Sequence, residues 1–190
     1  GVVRLSDGIH INLSNQTMIR KPEHTFNLGT GEQTFGQEGI DPFLPMLYVS
    51  YKKNNWAISS GTYISGGGAT ANYPDGSINT TLLAYQMMEY INGTTPANYT
   101  TITSQYLKAS SYYLTVPLIF SYSLGDKLSV AAGGRFIKGI NKTEAGLTLG
   151  GSSVGADDFS TALNYKDKAT GIGGVIGIFY QPTEKLALSV

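Results

Sequence analysis

Apolar and polar residues alternate along much of the chain, with the period of two that is typical of β-strands. In residues 112–122 every second side chain is apolar, and aromatic residues stand at both ends. Such a face matches the lipid-facing band and aromatic girdles of a transmembrane barrel strand. The pattern predicts an all-β chain with strands near residues 9–20, 43–51, 56–64, 111–122, 128–136 and 171–180, and a further strand that begins at 186.

The predicted connections between these strands are alternately long and short. An outer-membrane barrel carries short turns on one rim and long loops on the other, whereas a soluble sandwich has no reason to keep this order. The alternation therefore favours an antiparallel transmembrane β-barrel over a soluble β-sandwich. Tight turns are expected at 52–55, 124–127 and 181–185, and long loops at 21–42, 65–103 and 141–166.

A short helix is expected within the second long loop, which would be extracellular in such a barrel. It covers residues 78–91, with Asn79 or Thr80 as the N-cap. Its apolar stripe either packs on a neighbouring loop or forms one wall of a groove that takes an acyl chain, where methionine adapts to varied shapes. The stripe consists of Leu82, Leu83, Met87, Met88 and Ile91.

Composition narrows the classes of partner and chemistry. Lys plus Arg and Asp plus Glu both number 13, so the chain offers no basic field for nucleic acid. Cysteine is absent, which excludes disulfides and cysteine-based metal sites or catalysis. No apolar run approaches the roughly 20 residues of a membrane-spanning helix, and the chain is expected to open on mature or trimmed sequence. We expect no cofactor and no metal.

The number of predicted strands is too small for a closed barrel. Six complete strands and the start of another fall below the eight of the smallest outer-membrane barrels. An open edge at Val190 would leave backbone groups unpaired in lipid. Residues 1–190 are therefore expected to be the N-terminal half of one larger barrel domain, with an oligomeric barrel as the alternative.

Several stretches resemble one transporter family. "GVVRLSDGIHINLSNQT" looks like the junction at which FadL/TodX-type outer-membrane transporters of hydrophobic compounds enter their first barrel strand. "PFLPMLYVSYKKNNWAISSGTYISGGGATANYPDG" resembles the second and third strands of the branch found in Bacteroidetes, and "ATGIGGVIGIFYQPTEKLALSV" resembles a later Gly-rich strand, turn and strand. The similarity spans nearly the whole chain, in the family's order.

The resemblance implies a fold and a function. Such proteins are monomeric barrels of 14 strands in the outer membrane of Gram-negative bacteria, surrounded by outer-membrane lipid and lipopolysaccharide. A small N-terminal hatch plugs the barrel, and neither the hatch nor the C-terminal strands have a counterpart here. The family takes up long-chain fatty acids or other hydrophobic molecules passively, and an inward kink in the third strand opens a gap for lateral release.

The glycines Gly66, Gly67 and Gly68 stand where the family's kink is expected. One interpretation is a flexible entry into an extracellular loop. The other is the kink itself, because residues without Cβ permit bulged dihedrals and close approach of another chain or a ligand. A hole in a barrel wall is tolerated only where it lines a cavity or is covered by protein.

Polar residues on the predicted inward face are candidates for the lining of the barrel. His10, Asn12 and Ser14 share a face of the first strand, and Arg135 points inward or lies at the rim. Serine catalysis needs a base within hydrogen-bond reach, and residues four apart on a strand are separated by about 13 Å. We therefore expect a polar lining, no catalytic residue and no enzyme activity.

The expected function is passive transport of a hydrophobic ligand, such as a fatty acid or another lipid. A structural or adhesive barrel that binds partners through its long loops is the alternative. An outer-membrane lipid hydrolase is a third and less favoured hypothesis.

Overall fold

A computed structural model describes residues 2–27, 29, 31–183 and 185–190, with the backbone alone at positions 68 and 69. The chain opens with a short 3-10 helix, Val2–Arg4, and has one α-helix in the described residues. The strands are β1 (Gly8–Arg20), β2 (Glu23–Asn27), β3 (Glu32–Gly36), β4 (Gly39–Lys53), β5 (Trp56–Tyr73), β6 (Thr101–Ser123), β7 (Leu128–Gly150), β8 (Phe159–Thr183) and β9 (Leu186–Ser189), and the helix is α1 (Ile78–Thr94).

Seven of these strands form one antiparallel sheet in the order β1-β4-β5-β6-β7-β8-β9. Apart from the separate β2–β3 hairpin, each strand pairs with its neighbour in sequence, so the sheet is a meander. It curls into a half-barrel. The prediction of an all-β chain with a single short helix is confirmed at this level.

The predicted long loops are largely wrong, because the strands extend far into them. Residues 65–73 belong to β5, residues 141–150 to β7 and residues 159–166 to β8. The loop predicted at 21–42 contains the β2–β3 hairpin and the start of β4. In β6–β8 the three extensions pair with one another, so their backbone groups are satisfied although their side chains are mostly polar. Hydrophobic alternation alone therefore missed them.

The short turns follow the prediction. β4 and β5 are joined at Asn54 and Asn55, and Asn54 has a φ of 53°, which asparagine tolerates better than most residues. β6 and β7 are joined through residues 124–127. The turn predicted at 181–185 is shorter than expected, because residues 181–183 belong to β8 and β9 begins at Leu186; residue 184 lies outside the described residues. In an antiparallel meander these connections all lie at one end of the sheet.

The two faces of the sheet differ in what covers them. The inner face is the one against which the N-terminal 3-10 helix packs, over β4, β5 and β6. The opposite face exposes a continuous band of apolar side chains, which we call the outer belt. Paired strands align its members, for example Ile11 with Val49 and Phe136 with Ile172. The outer belt comprises Ile9, Ile11, Leu13, Val49, Ile58, Leu118, Phe120, Phe136, Ile172, Ile176 and Ile178.

Helix α1 begins at Ile78 as predicted and ends at Thr94, three residues later than predicted, but its N-cap differs from the prediction. Ser77 is the N-cap: its hydroxyl accepts from the Thr80 amide at 3.3 Å, and its own amide donates to Thr80 Oγ1 at 2.7 Å. This reciprocal capping box satisfies two donors at once, which explains why neither Asn79 nor Thr80 serves as the N-cap. The helix packs on the inner face of the extended strands, and the buried cluster there comprises Ala84, Met88, Tyr99, Leu147 and Leu149.

Candidate functional site

The pairing between β4 and β5 is interrupted over a long stretch. It runs from Lys53 opposite Trp56 to Leu47 opposite Thr62. The next pairing of the two segments is an isolated bridge between Glu38 and Asn72. Between these points, residues 39–46 pair only with β1 and residues 63–71 only with β6, as far as the described pairings extend. We call this part of the sheet the wall interruption.

Prolines in β4 account for one side of the wall interruption. Pro42 and Pro45 have no N–H to donate, and proline inside a sheet is confined to edges and bulges. The Pro42 carbonyl faces the other neighbour, because it accepts from Asn15 Nδ2 at 3.3 Å and from Thr17 Oγ1 at 3.0 Å. This part of β4 is therefore held by β1 and not by β5.

The glycines of β5 account for the other side. The register against β6 shifts between Ile64 and Gly66 and again between Gly67 and Ala69. Gly67 has a φ of 71°, and a Cβ built there would lie 2.0 Å from the Ser111 carbonyl oxygen. The glycines thus form bulges within a strand that continues to Tyr73, so the expected loop entry is wrong. Their role as a lateral opening stays a prediction.

Polar side chains fix the bulged segment to β6. Ser65 Oγ donates to the Tyr113 carbonyl at 3.2 Å and lies 2.6 Å from Thr115 Oγ1. Thr115 is fully buried. A buried hydroxyl without a partner is costly, so this pair favours one register of the bulge.

One carboxylate of β4 binds groups of β5 across the wall interruption. It lies near the Glu38–Asn72 bridge, which we call the far end; the Leu47–Thr62 pair marks the near end. Asp41, on β4, is 6% exposed. Its Oδ2 accepts from the Thr70 amide at 2.8 Å, and its Oδ1 accepts from Thr70 Oγ1 at 3.1 Å and from the Tyr112 hydroxyl at 2.9 Å. A side chain of β4 therefore takes the place of a backbone partner for β5. Sequence reasoning did not single out Asp41.

A half-open pocket, which we call the cavity, lies beside the near end of the wall interruption, where Leu47 pairs with Thr62. It has a volume of about 640 Å³ and sits between the N-terminal segment and the inner face. Tyr48 and Tyr63 both line it, with ring centroids 5.7 Å apart. Tyr48 is opposite Gly61, one position before the last pair, Leu47 opposite Thr62, and Tyr63 is the first residue of β5 beyond that pair. The apolar lining on the inner face includes Val2, Leu5, Pro117, Ile119 and Val175.

The structure brings together three of the four predicted polar lining residues. His10, Asn12 and Arg135 line the cavity, whereas Ser14 does not. Arg135 lies across Gly173 on the neighbouring strand, where a Cβ would come within 3.2 Å of its Nε. His10 Nε2 donates to the Ser6 carbonyl at 2.8 Å. The Arg135 guanidinium thus belongs to a lining that is mostly apolar and also includes His10 and Asn12.

The predicted groove residues of α1 divide among different environments. Leu83 and Met87 line a small cavity of about 240 Å³ against β7 and β8. Met88 is buried in the cluster under the helix, and Ile91 packs against that cluster. Leu82 is exposed. The stripe packs on neighbouring strands and also leaves a shallow apolar groove, and ligand binding there stays a prediction.

Ion pairs lie away from the cavity. Asp7 accepts from Lys52 Nζ and, at 3.0 Å, from the Asn54 amide, which ties the segment before β1 to the β4–β5 turn. The Lys52 hydrogen bond, followed by that of Asn54, lowers the pKa of Asp7 below its usual value. In the extension of β7 the Lys142 ammonium likewise lowers the pKa of Glu144.

The described residues contain no group of three or more His, Cys, Asp or Glu side chains placed to hold a metal ion. No helix in the described part of the chain has the length and apolarity to span a membrane. A scan against protein-family models matches no family. Searches of the curated proteins and of the solved structures also give no match. The resemblance drawn from the sequence therefore stays an expectation.

Proposed function

We propose that the chain is part of an outer-membrane transporter that captures hydrophobic molecules and releases them sideways through the wall interruption. The observation that carries this proposal is the position of the apolar cavity directly beside the point where β4 and β5 separate. The ligand class is long-chain fatty acids or molecules of similar character, and transport is passive.

A membrane environment is supported by the outer belt. Leu118 and Phe120, on a strand that is paired on both sides, are 59% and 49% exposed, and a contiguous apolar surface of this kind is rare on soluble proteins. Tyr51, Trp56 and Tyr122 lie next to the short turns, where aromatic girdles of outer-membrane barrels occur. Lipid is a solvent that suits such a surface.

Lateral release is supported by the wall interruption itself. A sheet edge exposed to lipid leaves backbone groups without partners, and each costs several kcal/mol. Such a break is tolerated where it lines a cavity or is covered by protein. Leu44 and Asp41 are both buried within the break, so side chains fill it in this structure. A path for ligand requires those side chains to move.

Ligand selection is supported by the lining of the cavity. Its volume lies in the range of about 300–1,000 Å³ that is usual for small-molecule sites. Apolar walls suit an acyl chain, and the Arg135 guanidinium can pair with a carboxylate through two parallel hydrogen bonds.

Cavity filling tests this proposal. Ser59 lines the cavity, and its hydroxyl has no hydrogen-bond partner there. We expect Ser59→Leu to weaken binding of a fluorescent fatty acid to the full-length protein in detergent and to slow its uptake into vesicles. Ala132→Leu, on the opposite and exposed face, is the matched control and should leave both unchanged. Equal behaviour of the two variants would contradict the proposal.

The adhesive alternative rests on one different observation, the length of the extended strands. β6 and β7 each have 23 residues and β8 has 25, which at the usual rise is roughly 75–85 Å. About ten residues suffice to cross a bilayer. The surplus forms a projecting surface that could bind a partner, and cell-surface binding without ligand uptake would favour this function.

A further inference from the structure

The near end and the far end of the wall interruption are closed by different kinds of contact. This difference suggests a role for one residue, Asp41. We infer that Asp41 is a latch that limits the length of the exit and thereby the bulk of the hydrophobic molecules that pass. This inference rests on the proposed function and adds a specificity-determining residue to it.

The near end of the wall interruption is closed by ordinary strand pairing, Leu47 opposite Thr62. At the far end the backbone bridge between Glu38 and Asn72 has N···O distances of 2.7 and 3.0 Å. Asp41 lies inside that bridge, nearer the cavity. The stretch without any bridge is therefore bounded by the Leu47 pair on one side and by the Asp41 contacts with Thr70 on the other.

The position of the latch is well defined, because one carboxylate accepts hydrogen bonds from three donors. The Thr70 amide and hydroxyl and the Tyr112 hydroxyl all donate to it, and the hydroxyls of Thr70 and Tyr112 lie 3.4 Å apart. Tyr112 belongs to β6, so Asp41 joins three consecutive strands. A buried carboxylate requires such donors, since it loses its hydration when the site closes.

The backbone around the latch leaves little freedom. A Cβ at Gly39 would lie 2.2 Å from the Thr70 carbonyl oxygen, so β4 and β5 approach closely just beyond Asp41. On the cavity side of Asp41, Pro42 is held to β1 and cannot donate to β5. The hydrogen bonds from Thr70 to Asp41 are thus the contacts that join β4 to β5 closest to the unbridged part of the wall interruption.

Release of the latch would lengthen the unbridged stretch toward the Glu38–Asn72 bridge. A longer exit admits bulkier molecules, whereas a thin acyl chain needs only the shorter one once the buried Leu44 moves aside. Removal of the carboxylate should therefore change selectivity more than it changes transport of the thin ligand.

The experiment compares two fatty acids of equal chain length, one linear and one carrying a pyrene group, in uptake by vesicles that contain the full-length protein. We expect Asp41→Ala to raise the ratio of pyrene-labelled to linear uptake, and Asp126→Ala, an exposed acid on the β6–β7 turn, to leave it unchanged. Asp41→Asn retains an acceptor for the Thr70 amide and should give an intermediate ratio.

A second readout does not depend on transport. The Thr70 amide donates to Asp41, so its hydrogen exchange should accelerate about tenfold in Asp41→Ala. Faster exchange with an unchanged uptake ratio would overturn the selectivity role and leave the proposed function standing. Absence of linear fatty-acid uptake by the unaltered protein would overturn the proposed function, and this inference with it.

Discussion

Two strand interfaces of the same sheet behave in opposite ways. β6 and β7 stay paired from Ser123 opposite Ser129 to Thr101 opposite Gly150, with one shift of register. β4 and β5 stay paired only from their turn to Leu47 and Thr62, and then separate. The contrast shows that loss of pairing is a local property of two strand segments and not of the sheet as a whole.

Neither proline nor glycine alone explains the separation. Pro117 lies within β6 and still stands opposite Arg135 in the ladder with β7. Gly133 in β7 is as closely approached as Gly67, with a Cβ position 2.1 Å from the Leu118 carbonyl oxygen, yet it has no positive φ. The wall interruption combines prolines on one strand with a glycine bulge of positive φ on the other.

The largest effect is expected from Gly67→Ala. The new Cβ would meet the Ser111 backbone at 2.0 Å, and the φ of 71° strains any residue other than glycine. We expect a loss of about 3 kcal/mol in the free energy of unfolding, measured by denaturant titration in detergent. Gly66→Ala is the matched control, because its Cβ would lie 3.5 Å from the Tyr113 ring. Equal losses would mean that the bulge is not fixed at Gly67.

A somewhat smaller loss is expected from Asp41→Ala. The Thr70 amide and the Tyr112 hydroxyl would lose their acceptor, which should cost about 2 kcal/mol in the same titration. Glu38→Ala is the control, since Glu38 bridges to Asn72 with backbone atoms and its side chain is exposed. If both alanine variants kept full stability, the cross-strand contacts of Asp41 would contribute nothing to the free energy of unfolding.

Ser65→Ala should have a modest effect. It removes the hydroxyl that faces the buried Thr115, and a loss of about 1 kcal/mol is expected. Thr25→Ala breaks a hydroxyl pair of 2.8 Å on the exposed β2–β3 hairpin and should cost less, because water replaces the lost partner. Denaturant titration of both variants under identical conditions measures the two losses in the free energy of unfolding. The reverse order would indicate that the bulge is not held by this pair.

The sequence predicted those parts of the fold that apolar alternation controls. The strand cores, the short turns and the helix follow from period two, turn residues and helical spacing. The extended ends of β6–β8 were not predicted, because backbone pairing and not apolar alternation holds their polar residues in the sheet. The role of Asp41 was not predicted, because its hydrogen-bond partners, Thr70 and Tyr112, are distant in sequence. Pro42 and Pro45 were a readable signal, because proline in a strand marks an edge.

The smallest effect is a pH dependence at the closed end of the β4–β5 interface. The lowered pKa of Asp7 means that its contact with Lys52 stabilises the fold above the usual aspartate pKa of 3.8. That stabilisation is lost as the pH falls through the lower pKa of the folded state. We expect a slight loss of thermal stability in acid, which Asp7→Asn and Lys52→Met should both abolish. Persistence of the loss in both variants would assign it to other groups.

The central claim, that ligand leaves between β4 and β5, can be tested with a reversible staple. Residues 1–190 contain no cysteine, so within them only introduced thiols react. Pro45→Cys with Ile64→Cys spans the wall interruption, and Tyr51→Cys with Ile58→Cys spans a pair that is already bonded. Each pair is joined by a reducible bifunctional thiol reagent in the full-length protein before fatty-acid uptake is measured. The account predicts that the first staple stops uptake until it is reduced and that the second has no effect. Unchanged uptake with both staples closed would contradict lateral release at this site.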